Sequence, residues 1–87
     1  MQKVAFRAEI FREDDLYVGL CPELNVSSFG ETIEQAKRAL HEAVEAFVEE
    51  CETIGTLEEV MTEAGFIKEH DTWVRRKPVA QEVLSIG

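Results

Sequence analysis

Phe29-Gly30-Glu31-Thr32-Ile33-Glu34-Gln35-Ala36 is the stretch at which the chain changes its period. Before it, apolar residues alternate; after it, they recur every three or four positions. Thr32 and Gln35 have the spacing of a capping box, in which a hydroxyl and a side-chain amide each satisfy an orphan backbone donor at a helix start. Ile33, Ala36, Leu40, Val44, Phe47 and Cys51 then form one helical stripe. Gly55 supplies the left-handed stop. Thr56 and Glu59 repeat the capping-box spacing, and Leu57, Val60, Met61 and Ala64 give a second, shorter stripe that ends at Gly65.

Upstream of Thr32 the period is two. Val4, Phe6, Ala8 and Ile10 share one face of an extended segment, with Lys3, Ala5, Arg7 and Glu9 on the other. Glu13, Asp14 and Asp15 form a polar break of hairpin length. Leu16, Val18 and Leu20 resume the alternation, and Pro22, which cannot donate to a ladder, predicts a strand end at about Cys21. A third short strand is expected over Asn25 to Phe29, closed by Gly30. Downstream of Gly65, Phe66 to Lys68 and Trp73 to Arg75 flank a polar stretch and predict a hairpin. Val79 to Ile86 is expected to form a last strand, although its alternation is ambiguous.

The fold class expected is therefore α+β: a three-stranded antiparallel sheet with a long helix packed on one face, a short second helix and a small C-terminal β tail. One domain is expected over 1–87, with a core at 1–65 and the tail at 66–87. The 87 residues are few enough to exclude a multidomain enzyme, and so small a chain buries little surface, so a partner subunit would help it.

Charge narrows the function. Eighteen acidic against nine basic side chains give a formal net charge of -9, a field that repels nucleic-acid phosphates and anionic lipid and attracts basic partners. Most of it comes from one region. Ten glutamates (Glu31, Glu34, Glu42, Glu45, Glu49, Glu50, Glu52, Glu58, Glu59 and Glu63) lie between Gly30 and Gly65, against Lys37 and Arg38 alone. Glu31 and Glu34 suit the positive end of a helix, and Glu34 with Arg38 is an i,i+4 pair. Glu49, Glu50 and Glu52 sit at the end where the dipole opposes them, and Glu42, Glu45 and Glu49 repel one another. A solvated acidic face is the plain reading of this cluster. Its unfavourable placement argues for a surface that meets a basic protein.

Sites for chemistry are sparse. His41 falls on the polar side of the long helix and His70 in a turn, and neither is paired with a nucleophile. Ser27 and Ser28 have no elbow motif around them. Cys21 and Cys51 lack metal-ligand spacing and read as small buried thiols. Glu9 lies within a strand with no aspartate beside it in the sheet. Arg75-Arg76-Lys77 is a short basic cluster that supplies little phosphate affinity at physiological salt. No cofactor, metal site or enzyme activity is expected. No apolar run is long enough to span a membrane, and the lack of a signal sequence and the free thiols predict a cytoplasmic location.

The strand-turn-strand opening, Leu20-Cys21-Pro22-Glu23-Leu24 and then Phe29 through Ala36 resemble the HicB antitoxin family. Pro22, Glu23, Leu24, Gly30, Thr32 and Ala36 fall at the family's spacing. Thr56 to Phe66 and Trp73 to Pro78 look like the longer tail of its compact members. The resemblance implies a partial ribonuclease-H-like fold without catalytic acids. It also implies a partner, a HicA-like toxin (a small basic ribonuclease that cuts messenger RNA), whose active surface the antitoxin covers, together with self-association into a homo-oligomer. Only nine residues follow Pro78, too few for the ribbon-helix-helix or helix-turn-helix that many HicB proteins use on DNA, so nucleic-acid binding is not expected.

The leading expectation is thus a non-catalytic antitoxin with Glu42, Glu45 and Glu49 as its protein-binding residues. The rival is a solitary homo-oligomeric HicB-like domain whose sheet edge or tail pairs with another copy. A metal-dependent ribonuclease of the ribonuclease-H type is the third reading.

Overall fold

The computed structural model of this protein describes residues 4–87. Lys3, which the alternation places on the first strand's second face, lies outside them. The element order is β1 (Glu9–Glu13), β2 (Leu16–Cys21), β3 (Val26–Gly30), α1 (Ile33–Ile54), α2 (Leu57–Glu63), β4 (Phe66–Glu69) and β5 (Thr72–Arg75). The first three strands form one antiparallel sheet in the order β1-β2-β3, and β4 and β5 form a separate two-stranded sheet. The α+β class, the long helix and the tail hairpin are as the sequence predicts.

Pairing is in register across the whole sheet. Ile10, Gly19 and Ser28 form one cross-strand row, and Phe11, Val18 and Phe29 form the next. Gly19 fixes which row faces the helix: a Cβ built there would lie 3.1 Å from the Ala36 carbonyl oxygen and 3.1 Å from Leu40 Cβ. The row Phe11-Val18-Phe29 therefore points to the opposite side, because successive strand residues alternate in direction. Two-residue turns close the β1-β2 and β4-β5 hairpins, whereas four residues link β2 to β3. Asp14 has φ 52°, and His70 and Asp71 have φ 51° and 67°, the paired positive angles of a type I′ turn.

α1 begins as its capping sequence demands. Thr32 is extended, and the Gln35 backbone N–H donates to its hydroxyl at 3.0 Å. The Gln35 amide oxygen accepts from the Glu31 backbone N–H at 2.9 Å, so the reciprocal bond is made one residue before the cap. Gly55 ends the helix at φ 79°. At α2 the second capping box does not form. Thr56 has ψ 5°, far from the extended geometry that aims a hydroxyl at the first turn, and makes no side-chain cap bond. Thr32→Ala is accordingly expected to cost about 1 kcal/mol and Thr56→Ala only a few tenths, by urea unfolding of the two variants.

Two apolar clusters share three residues. Cys21, Leu24, Leu40 and Val48 make the first, between sheet and α1; Met61, Phe66 and Trp73 make the second, between α2 and the hairpin. Phe6, Leu57 and Ala64 pack against both, so the tail hairpin is joined to the body by apolar contact. From the expected helix stripe, Ala36, Leu40 and Cys51 are buried and Val44 and Phe47 half-buried, whereas Ile33 is 45% exposed in the first turn.

Two expected strand segments are corrected. Residues 4–8 belong to no strand, although Phe6 keeps the inward direction that the alternation predicts. The ladder stops at Glu9 opposite Leu20 because the neighbouring chain turns away at Pro22. The Arg7 N–H instead donates to Glu23 Oε1 at 2.8 Å. Val79 to Ile86 is likewise neither strand nor helix, and every residue in it is exposed. Period two would put Gln81 and Ser85 beside Val79 and Val83, and Glu82 between Ala80 and Leu84, so neither face is uninterruptedly apolar.

The candidate protein-binding surface

The surface is built on the outward side of α1. With about 3.6 residues per turn, Arg38, Glu42, Glu45 and Glu49 fall on one stripe, opposite the buried Leu40 and Cys51. All four are exposed, so the structure does bring the three glutamates that the sequence singles out onto a single ridge. It also places the Arg38 cation, which the spacing pairs with Glu34, at the ridge's first turn. His41 Nδ1 stands 4.0 Å from Glu45 Oε1, an ion pair only when the imidazole is protonated. Glu34 meets Lys37 at 3.5 Å rather than the Arg38 that i,i+4 spacing suggests. Glu50, Glu58, Glu59 and Glu63 are exposed as well; Glu58 lies 3.9 Å from Lys68.

Glu45 and Glu49 also border an open groove of about 720 Å³ between α1 and residues 4–8. Its apolar floor includes Phe6, Cys21, Leu40, Val44 and Val48, and Arg7 and Lys37 add positive charge to the lining. An apolar floor beside the Glu45 and Glu49 carboxylates suits a long basic side chain, which lays its stem on apolar surface and keeps its charged head at the rim.

Cys21 lies in the groove floor but is only 1% exposed. Burial pushes its thiol above the ordinary cysteine range, and the neighbouring Glu23 carboxylate pushes the same way against backbone N–H contacts from Leu24 and Glu23. A raised folded-state value favours the neutral thiol, so this stabilisation is whole below the ordinary thiol range and is lost as pH rises through the folded value. At neutral pH Cys21 is a protonated, poorly nucleophilic group. Its neighbour Glu23 is a feature the sequence reading overlooks as a structural hub. Besides Arg7, Glu23 meets Cys21 Sγ at 3.9 Å and makes an ion contact with Arg75. The signal was available: an acid set between two buried apolar residues, Cys21 and Leu24.

Arg75 is thereby withdrawn from the basic cluster. It also donates to the Ala5 carbonyl at 3.2 Å and lies 5.5 Å from the Phe66 ring centre. Lys68 is 5.8 Å from the Trp73 ring centre and close to Glu58. Two of the four tail cations are therefore tied to internal partners, leaving Arg76 and Lys77 as exposed charges beyond the hairpin. His70 is exposed in its turn, as expected, and Ser27 and Ser28 stay in β3. Among the described residues no three histidine, cysteine, aspartate or glutamate side chains converge as a metal site, and no helix is long and apolar enough to cross a membrane.

Comparison with protein-family models, with curated proteins and with solved structures finds no match for this chain. The fold defines the class, a small α+β protein with one helix-covered sheet and an appended hairpin.

Proposed function

We propose that this chain is a HicB-like antitoxin of a type II toxin-antitoxin pair. In this reading it is a non-catalytic module that neutralises a small basic HicA-type ribonuclease by covering its active surface. The observation that carries the reading is the exposed ridge of Glu42, Glu45 and Glu49 beside an apolar groove. Such a surface is complementary to one that binds RNA: carboxylates stand in for phosphates, and the groove accepts the stems of the arginines and lysines that hold them. The strand-strand-strand-helix order and the Pro22-Glu23-Leu24, Gly30, Thr32, Ala36 series support a HicB-like, partial ribonuclease-H-like assignment of the fold.

The role follows from electrostatics. A ridge of one sign steers a cationic partner and fixes its orientation more than it adds final affinity. Replacing all three residues (Glu42→Lys, Glu45→Lys and Glu49→Lys) is expected to weaken binding of a purified HicA-type toxin at least about tenfold. Most of the loss should lie in the association rate, and it should shrink as salt screens the contact. Unchanged association kinetics would remove the ridge from the interface. Binding of the toxin by neither form would remove the antitoxin reading itself.

A further inference from the structure

Among the described residues no helix or second sheet lies on the side of the three-stranded sheet turned away from α1. Phe11, Val18 and Phe29 form its middle row, with Leu16 and Leu20 above and below Val18 on the same face. Phe11 is 50% exposed, Leu16 39% and Phe29 65%. One other place among the described residues is as apolar and as bare. In the tail, Val79, Val83, Leu84 and Ile86 are 73% to 105% exposed. Of the ten large apolar side chains left exposed among the described residues, three lie on this sheet face and four on that tail.

The tail does not cover the face of its own chain. Its side chains stand clear in solvent, and the radius of gyration is 15.1 Å where a chain of this length packs to about 12 Å. Its apolar positions have a helix period instead of the strand period. Val79, Val83 and Ile86 recur at i, i+4 and i+7, with Ala80 and Leu84 alongside, and Gln81, Glu82 and Ser85 fall elsewhere. Pro78 is suited to the first position of such a turn. Two turns on their own are too short to hold in water, which accounts for the irregular backbone seen here. Formed on a surface, nine residues would span about 13 Å, close to the breadth of three strands spaced roughly 4.8 Å apart.

Charge supplies the orientation. On β1, Glu9 and Glu13 flank Phe11 on the open face, and Arg76 and Lys77 immediately precede the apolar tail. The start of the tail thus matches the β1 side of the face and its apolar end the Phe29 side.

We propose that the open sheet face is a docking site for residues 79–86 of a second copy of this chain. The exchange is reciprocal, so each protomer gives a tail and receives one across a two-fold axis. Both α1 ridges stay outward, and the inference stands independently of the antitoxin reading, since it uses neither Glu42, Glu45 nor Glu49.

The test is the mass of the full chain in solution at micromolar concentration, by light scattering after size exclusion. The unsubstituted chain should be a dimer. The doubly substituted tail (Val83→Asp with Leu84→Asp) and the substituted face (Phe29→Asp) should each be monomers with unchanged circular dichroism, because none of these side chains is buried in the protomer. Mixing chains carrying Phe29→Cys with chains carrying Val83→Cys should give a disulfide-linked heterodimer, the native cysteines being buried. A monomeric unsubstituted chain overturns the proposal. A dimer indifferent to the tail substitutions also overturns it, since that dimer would be joined by sheet edges or bare faces. So does a link that forms only within one chain carrying both cysteines, which would mean that the tail folds back onto its own sheet.

Discussion

Phe66→Ala is expected to remove about 3–5 kcal/mol of stability, the usual cost of emptying a buried phenylalanine site. A chain of 87 residues has roughly 4–13 kcal/mol in total, so this variant sits at or near the unfolding threshold. The size of the effect comes from position. Phe66 is 2% exposed and belongs to a cluster with only two other buried members, Met61 and Trp73. Its ring meets Phe6 edge to face, with centroids 5.4 Å apart and planes at 74°, and Phe6 in turn packs against the cluster under α1. Losing the ring therefore loosens the hairpin and the 4–8 segment together. Phe66→Leu keeps most of the volume and should cost less than about 1.5 kcal/mol. Urea unfolding of both, followed by tryptophan fluorescence at Trp73, measures the difference. A Phe66→Ala midpoint within error of the parent would mean that the hairpin does not contribute to the cooperative unit.

What was legible in the sequence was what repeats. Leu16 to Cys21 shows strict alternation, Ala36 to Cys51 a helical stripe, and Pro22, Gly30, Gly55 and Gly65 mark ends; all of these segments have the expected type. What failed depends on partners that a local pattern does not contain. Val4 to Ala8 alternates as well as any strand, but no ladder reaches it, and Glu23 satisfies the Arg7 N–H in its place. Thr56 and Glu59 have the right spacing for a capping box, yet the tight link from Gly55 holds Thr56 at ψ 5° and the box does not close. The tail has apolar content without a period that suits an edge strand. Of the site, the common side of Glu42, Glu45 and Glu49 was readable, because helix periodicity sets it. The groove beneath Glu45 and Glu49 was not, since its second wall is the 4–8 segment, remote in sequence from α1. Arg75 was misread for a similar reason: only the fold brings it to Glu23 and Ala5.

Gly30→Ala is the sharper test of how the helix is held on the sheet. An alanine here would ordinarily be favourable by about 0.4–1 kcal/mol, because it restricts the unfolded chain. Contact reverses the sign. A Cβ at position 30 would lie 2.6 Å from the Ala36 nitrogen, 2.7 Å from Gln35 Cβ and 2.8 Å from the Gln35 carbonyl carbon. Two of these are backbone atoms of the first turn of α1, which cannot swing aside as the end of a side chain can. Relief requires the helix start to lift from β3, straining the Thr32 cap and the packing of the buried Ala36. A loss of about 1–3 kcal/mol is expected, in line with other overpacked sites. Gly55→Ala would meet no atom within 4 Å and would suffer only from its φ of 79°, about 1–2 kcal/mol. The two variants separate by mechanism as well as by size. Lifting the α1 start moves the ridge relative to the groove, so on the antitoxin reading proposed above Gly30→Ala should also weaken binding of a HicA-type toxin at protein concentrations where the variant is still folded. Gly55→Ala, at the far end of the helix, should leave that binding unchanged. Equal or greater stability of Gly30→Ala in urea would show that β3 and the first turn of α1 are not in the close contact described above.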